Sequence, residues 1–457
     1  MDYNIIIVGG GPGGYVAAIR GAQMGAKVAL VEEKALGGVC LNCGCIPTKA
    51  LLKSAMVLQE IKDAARFGIN IGSVSVDFNR IMKRKNEVVS TLSSGIKGLM
   101  SANGIDVIKG RAELEAYDTV NIQGKRLKGS SIIIATGSVP FKPPIPGIDR
   151  SCVITSDEAL ELTKLPKSMV VIGGGVIGVE MATLFGLLGC EVTIIEMMDR
   201  IVPMMESEIS EELCSILKKS SISVITSARV KEIHDGSVTY SKGNATQNVK
   251  AEKVLLASGR LSSGEKLSLD KLGIRHKKGV IETDEKMRTN IENIYAIGDV
   301  NGKYMLAHTA SEEGIVAVEN IMGLTKTMDY NSIPQCIYTS PEIASVGITE
   351  EQARSKGYKV RVSKFPLMAN GKALTEGYTD GFIKMIADEA YGQILGVHIM
   401  ASHATEIISQ CAIAMHNELT VYELANTIFP HPTQSEIIPE ASRGFSHGAV
   451  HISTKKR

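Results

Sequence analysis

The chain has 457 residues and a formal net charge of +1, and at usual domain sizes this length makes about three or four domains. The balanced charge argues against a nucleic-acid binder or a membrane-surface binder, because no long basic run is present. Eight cysteines are too few for a disulfide-stapled secreted scaffold, and no apolar run reaches the roughly eighteen residues of a membrane helix. The N-terminus enters a strand without a basic leader, so we expect a cytoplasmic location.

The first elements in the chain form a strand, turn, helix and strand. An apolar run over 5–8 leads into a glycine turn and an Ala-rich helical stretch, and a second strand over 28–31 ends at Glu32. The glycines of the turn are Gly9, Gly11 and Gly14. In such a turn the first glycine allows the bend, the second lets backbone approach a pyrophosphate, and the third packs helix against sheet. Glu32 is placed to accept hydrogen bonds from a ribose, so this segment predicts a dinucleotide site.

The cysteine segment, residues 37–49, follows the first unit almost directly. It contains Cys40 and Cys45 with four residues between them, whereas the cysteines outside the segment are scattered singly. A structural zinc site usually needs a second ligand pair at matching spacing. A dithiol that cycles to a disulfide needs only its two sulfurs, one of them kept as a thiolate. The segment therefore predicts redox chemistry, with a metal site as the alternative.

Between Asp77 and Met100 the apolar positions recur at helical spacing. This predicts a helix in which Lys83, Arg84 and Lys85 form a solvated face rather than a binding patch.

The first unit is repeated 164 positions later. A strand over 169–172, a glycine turn, a helix and a strand over 192–195 lead to Glu196. The glycines are Gly173, Gly175 and Gly178. Two ordinary βαβ units with incidental glycines are the alternative, but recurrence of the whole context favours two dinucleotide sites. Two such sites indicate an electron relay in which one cofactor is held and the other is exchanged.

Position along the chain assigns the two cofactors. The first unit leads into the cysteines, so we expect it to bind FAD, which exchanges electrons with sulfur, and the second to bind NAD. Glu196 would repel a 2′-phosphate, and Met197 and Met198 follow it in place of basic side chains. Arg200 lies close enough to leave NADP as an alternative. No metal is predicted.

The later chain contains further strand signals. The run over 294–297 predicts a strand before Gly298 and Asp299, and the polar stretch 325–329 predicts a linker. Alternating patterns near Ile337, over 382–386 and over 395–399 predict strands of a last domain.

Together these motifs resemble the pyridine nucleotide-disulfide oxidoreductases, from Gly9 to Glu436. Within that family the chain is most similar to the branch that oxidises dihydrolipoamide. Glutathione reductase is similar in layout, but its NADP-binding basic residues are missing after the strand over 192–195. The other motifs that carry the likeness are residues 135–138, 173–180, 296–299, 306–308 and 431–436.

The resemblance implies an α/β fold with two Rossmann-like dinucleotide-binding domains, for FAD and NAD, plus a C-terminal α+β dimerisation domain. The implied segments are an FAD-binding domain over 1–145, an NAD-binding domain over 146–262, a central segment over 263–328 that completes the FAD site, and an interface domain over 332–457. A homodimer is implied, because in this family a histidine of one subunit reaches the cysteines of the other.

A base is needed to move protons during thiol exchange, and histidine suits this task best. His431 stands before a proline and five residues before Glu436, which can orient its ring, although a loop histidine is the alternative. The resemblance makes His431 and Glu436 catalytic together with the Cys40–Cys45 disulfide. The substrate attacks Cys40, and Cys45 faces the flavin.

The resemblance also assigns positions that bind the cofactors. Lys49 and Glu180 resemble the family's ion pair near the reactive flavin nitrogen, with a pair of surface charges as the alternative. Residues assigned to FAD are Gly9, Gly11, Gly14, Glu32, Lys49, Thr136, Gly137, Gly298 and Asp299. Residues assigned to NAD are Gly173, Gly175, Gly178, Glu196 and Gly259. For Asp299 an ordinary turn aspartate is the alternative.

The implied reaction oxidises protein-bound dihydrolipoamide to lipoamide and reduces NAD. The implied partner is a lipoyl-bearing protein of a 2-oxoacid dehydrogenase or glycine cleavage complex, with no nucleic acid and no membrane. Two alternatives stay open: a reductase of another low-molecular-weight disulfide that uses NADH or NADPH, and a flavoprotein kept as a docking subunit. Cys40, Cys45, His431 and Glu436 together count against the docking role.

Several positions depart from the family pattern. Cys43 stands where the family usually has no sulfur. It is interpreted either as a spare small residue or, as alternatives, as a source of redox side reactions or as part of a three-cysteine cluster with metal affinity. Phe429 occupies a position where the lipoamide branch commonly has a histidine, and residues 257–263 are less regular than the family's. We therefore expect differences in the His431 loop and at the flavin-proximal end of the NAD domain.

Overall fold

The structure is a computed structural model that describes residues 1–453, so the last four residues of the predicted 332–457 domain lie outside the described residues. The strands are, in chain order, β1 (Tyr3–Val8), β2 (Val28–Glu32), β3 (Asp106–Lys109), β4 (Ala112–Ala116), β5 (Thr119–Ile122), β6 (Lys125–Ile134), β7 (Ser138–Pro140), β8 (Val153–Thr155), β9 (Ser168–Ile172), β10 (Glu191–Ile195), β11 (Ile222–Ile225), β12 (Ala228–His234), β13 (Ser237–Lys242), β14 (Ala245–Lys250), β15 (Lys253–Leu256), β16 (Arg260–Ser262), β17 (His276–Lys277), β18 (Val280–Ile281), β19 (Ile294–Ala296), β20 (Gln335–Ile337), β21 (Glu342–Gly347), β22 (Val360–Pro366), β23 (Phe382–Asp388) and β24 (Ile394–Ala401).

The α-helices are, in chain order, α1 (Pro12–Gln23), α2 (Gly38–Cys43), α3 (Cys45–Asp63), α4 (Phe78–Ala102), α5 (Ser156–Ala159), α6 (Val176–Leu187), α7 (Ser207–Lys219), α8 (Ala307–Ile321), α9 (Glu350–Ser355), α10 (Gly371–Glu376), α11 (Ala404–His416), α12 (Val421–Asn426) and α13 (Ile437–Arg443). Over residues 1–453, none of them combines the length and the apolar character needed to cross a bilayer.

The chain forms two compact units. The first consists of Met1–Pro144, Val153–Leu165 and Leu255–Met328. The second consists of Ile145–Cys152, Pro166–Val254 and the chain from Asp329 onward. Residues 255–328 thus group with the N-terminal segment, and the predicted domain boundaries at 145, 262 and 328 remain predictions.

A parallel sheet lies at the centre of the first unit, in the order β3-β2-β1-β6-β19. The first half of β6 continues into antiparallel pairing with β5, which pairs with β4. Ile5, Ile6 and Ile7 are all fully buried, because a parallel sheet is covered on both faces. The strands predicted over 5–8, 28–31 and 294–297 are confirmed.

Helices α1 and α8 cross within the first unit at two glycines. A Cβ added to Gly13 would lie 2.9 Å from the carbonyl oxygen of Ala310, and one added to Gly314 would lie 2.7 Å from that of Gly13. Larger residues would push the helices apart, since backbone atoms cannot move aside as a flexible side chain can. This close approach fixes α1, and with it the glycine turn that precedes it.

The second unit holds a parallel arrangement of β9, β10 and β11, with β10 in the middle. An antiparallel meander of β12, β13 and β14 follows. The C-terminal part is an antiparallel sheet in the order β20-β21-β24-β23-β22, and its core includes residues of α11 and α13. The predicted strands near Ile337, over 382–386 and over 395–399 are confirmed. Neither long strand is half-exposed, because β24 is buried at every position and β23 at every position but its last.

The prediction that Lys83, Arg84 and Lys85 form a solvated face of α4 is wrong for Lys85. Its side chain is 1% exposed, and its Nζ donates to the carbonyl oxygen of Leu160 at 2.9 Å and to Oε1 of Glu161 at 2.6 Å. Lys83, by contrast, is 78% exposed. A buried ammonium requires such partners. The partners lie 75 and 76 positions away in sequence, where helical periodicity carries no information.

A buried lysine in the second unit is surrounded by three carboxylates. The ammonium of Lys384 on β23 lies 2.8 Å from Glu206, 2.7 Å from Glu208 and 2.9 Å from Glu350. Burial opposes the charge, but these carboxylates raise the pKa of Lys384. His398, its cross-strand neighbour on β24, is fully enclosed and its Nε2 lies 3.1 Å from the carbonyl oxygen of Ile348. Burial lowers the pKa of His398, and Lys384 adds to the effect.

We expect the free energy of unfolding to decrease as the pH falls below about 6.5, the pKa of histidine in an unfolded chain. The folded state keeps His398 neutral while the unfolded state takes up a proton, which contributes up to about 1.4 kcal/mol per pH unit. Urea unfolding at pH 7.5, 6.5 and 5.5 measures this. His398→Gln is expected to weaken the pH dependence of the free energy of unfolding, whereas the exposed control His447→Gln is expected to keep it. Equal pH dependence in the two variants would show that His398 is not the group responsible.

Candidate active site

The first glycine turn has the tight geometry that the sequence predicts. Gly9 has a φ of +110°, and a Cβ there would lie 2.3 Å from the carbonyl oxygen of Ala135. A Cβ on Gly14 would lie 1.8 Å from the carbonyl oxygen of Gly9. Both positions therefore exclude side chains. The turn delivers the chain to Pro12 at the start of α1, where unpaired amides and the helix dipole favour an anion.

The second turn repeats this geometry in the other unit. Gly173 has a φ of +109°, and a Cβ on Gly178 would lie 2.0 Å from the carbonyl oxygen of Gly173. At Gly175 an added Cβ meets no described atom within 4 Å, so the backbone at the start of α6 faces open space. A phosphate can therefore approach this backbone closely.

The acid at the end of each unit holds the turn in place. Oε2 of Glu32 accepts from the amide of Gly10 at 2.7 Å, and Oε1 accepts from that of Lys34 at 2.6 Å. Glu196 repeats both contacts 164 positions later, with Gly174 and Met198. A carboxylate has about four acceptor sites, so the capacity to bind a ribose remains. The two acids thus have a structural task that sequence spacing did not reveal.

The cysteine segment begins against the first glycine turn. The amide of Gly37 donates to the carbonyl oxygen of Gly10 at 2.8 Å. A Cβ on Gly38 would lie 2.6 Å from Cα of Gly11, so these two backbones approach as closely as glycine allows. The start of α2 is thereby fixed beside the predicted FAD turn, as a sulfur-to-flavin relay requires.

Cys40 and Cys45 are close together as thiols. A hydrogen bond between them, with burial, raises the pKa of Cys40 far above its ordinary value, while the charge of Lys49 opposes the shift. Cys45 is the first residue of the 19-residue helix α3. Its sulfur therefore lies at the positive end of a helix dipole, which stabilises a thiolate. The pair is suited to form a disulfide in which Cys45 is the better leaving group.

A polar chain connects three motifs of the first unit. Oγ of Ser138 donates to Asp299, while Nε of Arg260 donates to the same Oγ at 2.7 Å and Nη2 donates to the Ser138 carbonyl oxygen at 2.9 Å. Arg260 and Ser138 were not among the predicted site residues, although Ser138 stands in the motif 135–138 and Arg260 in the stretch 257–263. Their adjacency to predicted site positions was the available signal.

Two further predicted FAD positions lie nearby. Oγ1 of Thr136 is buried without a hydrogen-bond partner among the described residues, an uncommon state that a bound polar ligand would relieve. Gly298 has a φ of +70°, and its amide donates at 2.6 Å to Glu313, which is fully buried. Glu313 was also missed, because an acid on an Ala-rich helix looks solvated in sequence.

Gly259, predicted to bind NAD, lies in the first unit rather than with the second glycine turn. It has a φ of +113°, its carbonyl oxygen accepts from the amide of Phe141 at 2.9 Å, and no described atom lies within 4 Å of an added Cβ. Its assignment remains a prediction.

His431 and Glu436 form the predicted pair. Nδ1 of His431 lies 2.9 Å from Oε1 of Glu436, and Oε2 of the same carboxylate accepts from the amide of Thr433 at 2.9 Å. Burial opposes ionisation of Glu436, but the hydrogen bonds from Thr433 and His431 hold its pKa below the ordinary value. One carboxylate therefore caps the turn and orients the imidazole. The His431 side chain is 76% exposed.

Glu180 lies on α6, 6% exposed, and its Oε1 accepts from the amide of Tyr338 at 2.9 Å within the second unit. Lys49 belongs to the first unit. Their ion pair, predicted from the sequence, remains a prediction.

The residues after Glu196 favour NAD over NADP. Met197 and Met198 are 65% and 48% exposed, so apolar side chains occupy the surface where a 2′-phosphate would need cations. Arg200 is the residue that left NADP open as an alternative in the sequence. Its Nη2 lies 3.6 Å from Oε2 of Glu351. Its charge is therefore already offset by a carboxylate.

Within residues 1–453 no group of three or more His, Cys, Asp or Glu side chains is arranged to hold a metal ion. The three-cysteine cluster left open by the sequence therefore has no geometric support there.

Comparison of the sequence with models of known protein families shows the family of this chain. A model described as pyridine nucleotide-disulphide oxidoreductase matches residues 3–314, and the dimerisation domain of the same family matches residues 333–442. The chain belongs to the pyridine nucleotide-disulphide oxidoreductase family. The predicted fold class and the predicted cofactors, FAD and NAD, are confirmed by this membership.

Similar proteins cover the whole chain. It is 43% identical to a dihydrolipoyl dehydrogenase of Bacillus subtilis, over 99% of each chain, and 40% identical to the mitochondrial dihydrolipoyl dehydrogenase of Pisum sativum, over 99% of this chain and 93% of that one. Among solved structures, the HOCl-induced flavoprotein disulfide reductase RclA of Escherichia coli is 30% identical with a TM-score of 0.86, covering 96% of this chain and 99% of that one. The chain is thus a flavin- and nicotinamide-dependent disulfide oxidoreductase.

Proposed function

We propose that this oxidoreductase oxidises protein-bound dihydrolipoyl groups to lipoyl groups with reduction of NAD⁺. The observation that carries the proposal is the Cys40–Cys45 pair fixed against the first glycine turn. The similarity to dihydrolipoyl dehydrogenases at 40–43% identity supports the choice of substrate.

The residues of the chain then have defined tasks. His431, oriented by Glu436, takes a proton from a substrate thiol, and the resulting thiolate attacks Sγ of Cys40. The Cys40–Cys45 bond breaks and the electron pair leaves on Cys45, stabilised by the α3 dipole. The second substrate thiolate displaces Cys40, which leaves both cysteines reduced and the substrate as a disulfide.

The residues present fit both cofactors. FAD would lie on the first turn with Thr136 and Asp299 near its polar groups, and NAD on the open turn at Gly175. When bound, FAD supplies a carrier that accepts two electrons from sulfur and yields them as hydride to NAD. Gly9, Gly14, Gly173 and Gly178 preserve the close backbone approach that both sites need.

The active unit is proposed to be a homodimer in the cytoplasm. His431 is 76% exposed and Ile428 in the same loop is 95% exposed, which supports a partner subunit covering this surface. The match of residues 333–442 to a dimerisation domain supports the same assembly. The lipoyl group would come from a 2-oxoacid dehydrogenase or glycine cleavage complex.

A substrate panel tests the proposal. Dihydrolipoamide with NAD⁺ is expected to give the highest kcat/KM, and a visible spectrum during titration with dihydrolipoamide is expected to gain a long-wavelength thiolate-to-flavin band. A stronger response to another low-molecular-weight disulfide with NADH would replace the substrate assignment. Flavin that accepts electrons from neither NADH nor dithiols would favour a docking subunit.

NADH is expected to be used at least about tenfold better than NADPH, measured as kcat/KM for reduction of lipoamide. The carboxylate of Glu196 repels the 2′-phosphate, while Glu351 already offsets the charge of Arg200. Glu196→Gln is expected to lower the ratio of kcat/KM with NADH to kcat/KM with NADPH. The control Glu211→Gln, on α7, is expected to leave this ratio unchanged. A preference of the wild-type protein for NADPH would overturn the assignment.

A further inference from the structure

The mechanism does not use Cys43, yet α2 places it near Cys40. Cys43 is the last residue of α2, three positions after Cys40, so the two sulfurs share one helix face. At this spacing Cβ atoms lie about 5–6 Å apart, against about 3.5–4.5 Å in a disulfide. Gly44 ends the helix with φ −144° and ψ −112°. Because α2 ends at Cys43, a rearrangement of this last turn is the movement that would bring the two sulfurs together.

The surroundings of Cys43 keep its sulfur protonated. The half-buried thiol of Cys43 has the carboxylate of Asp157, on α5, in its surroundings. Burial and, after it, Asp157 raise the pKa of Cys43 to about 11, while Arg260 and Lys34 oppose the shift. At neutral pH only a small fraction is thiolate, the form that attacks a disulfide.

We propose that Cys43 is a third member of the redox centre: its sulfur exchanges with Cys40 and moves the disulfide from Cys40–Cys45 to Cys40–Cys43, and Asp157 restrains this exchange. The inference rests on the Cys40–Cys45 disulfide proposed above. The product is inactive in NADH-dependent reduction of lipoamide, because Cys45 at the head of α3 is then a thiol and no longer part of a disulfide that can accept electrons. A dithiol substrate that attacks Cys40 instead expels Cys43 and returns the centre to its fully reduced form.

The step is balanced without an added oxidant. Cys43 loses its proton and its thiolate attacks Sγ of Cys40, so the bond between these two sulfurs forms. The Cys40–Cys45 bond breaks, and its electron pair leaves on Cys45, which takes up a proton. Substrate and Cys43 compete for the same sulfur, so a high resting pKa at Cys43 favours the substrate.

Differential labelling of the oxidised holoenzyme tests the exchange. The protein is held without NADH at pH 7, 8, 9 and 10, quenched in acid, labelled with N-ethylmaleimide, reduced, and labelled with iodoacetamide. Mass-spectrometric sequencing of the tryptic peptide 35–49, which holds all three cysteines, then shows which sulfurs were linked. The proteins are wild type, Asp157→Asn, Cys43→Ala and the control Asp149→Asn.

At pH 7 N-ethylmaleimide is expected on Cys43. The rate at which the label moves to Cys45 is expected to rise about tenfold for each pH unit up to pH 10. Asp157→Asn is expected to increase the rate of this disulfide exchange at least about threefold, whereas Asp149→Asn is expected to exchange at the wild-type rate. Wild type held at pH 9 is expected to lose NADH-dependent reduction of lipoamide, which dithiothreitol restores, whereas Cys43→Ala is expected to keep it.

Three outcomes would overturn the inference. Maleimide confined to Cys43 at every pH, in wild type and Asp157→Asn, removes the exchange and leaves the Cys40–Cys45 disulfide intact. Maleimide on Cys40 shows that Cys45 is the target instead. Maleimide on all three cysteines before reduction removes the Cys40–Cys45 disulfide, and the proposed function fails with it. If Asp157→Asn does not fold, the pH series of wild type against Cys43→Ala decides.

Discussion

Cys45→Ser is expected to lower NAD⁺-dependent oxidation of dihydrolipoamide by more than about a thousandfold. Serine cannot form the disulfide, so the substrate thiolate has no sulfur bond to break at Cys40. The FAD-binding positions are unaltered, because the first glycine turn is held by Glu32 and Asp299 by Ser138, and neither is substituted. The protein is therefore expected to stay yellow, with flavin content equal to wild type by absorbance after release of the cofactor.

Two controls make this result specific to the disulfide. NADH-dependent reduction of ferricyanide does not pass through sulfur, so it is expected to persist in Cys45→Ser. Cys214→Ser changes a half-buried cysteine of α7 outside the site and is expected to keep dihydrolipoamide oxidation within about twofold. Retention of full dihydrolipoamide oxidation by Cys45→Ser would refute the disulfide mechanism.

Local backbone chemistry made much of the fold readable from the sequence. The glycine turns succeed as predictors because a φ of +110° at Gly9, and Cβ clashes of 1.8 Å at Gly14 and 2.0 Å at Gly178, leave no other residue type at these positions. The strands before and after these turns are apolar on both faces, so they read as short continuous apolar runs that the glycine turns delimit. The repeat at an offset of 164 then extends to hydrogen bonds, since Glu32 and Glu196 hold equivalent amides.

What the sequence did not reveal is contact between distant segments. Lys85 looked solvated because Leu160 and Glu161, its partners, lie on another stretch of chain. Arg260 and Ser138 join motifs 122 positions apart, and Lys384 gathers carboxylates from three separate positions. Charge and helical period are local properties, whereas burial of an ion depends on which segments the fold brings around it.

Within the site, the sequence predicted the candidate reacting residues more readily than the residues that hold them. The Cys40–Cys45 spacing predicted redox chemistry, and the family resemblance added the catalytic interpretation of His431 and Glu436. Asp157 carried no signal, because its relation to Cys43 depends on how α5 packs near the end of α2. The double task of Glu436, which caps Thr433 and orients His431, is readable only once both distances are known.

His431→Gln is expected to lower kcat for dihydrolipoamide oxidation by about a thousandfold, within the range of 10²–10⁴ that a positioned acid or base contributes. Glutamine keeps similar size and polarity but cannot take the thiol proton. Loss should be smaller at high pH, where solvent deprotonates the substrate. Stopped-flow reduction of the oxidised enzyme by dihydrolipoamide, recorded from pH 6 to 9, measures this step apart from product release.

Two variants separate proton transfer from loop structure. Glu436→Gln retains an acceptor for the Thr433 amide and loses the charge that orients His431, so we expect an intermediate fall of about ten- to a hundredfold. His416→Gln alters another exposed histidine beside a carboxylate, Asp329 at 3.6 Å, and should stay within about twofold of wild type. Because the pKa of Glu436 is held low, its carboxylate is ionised throughout the neutral range. A pH profile of His431→Gln parallel to wild type would therefore assign the missing base to another residue.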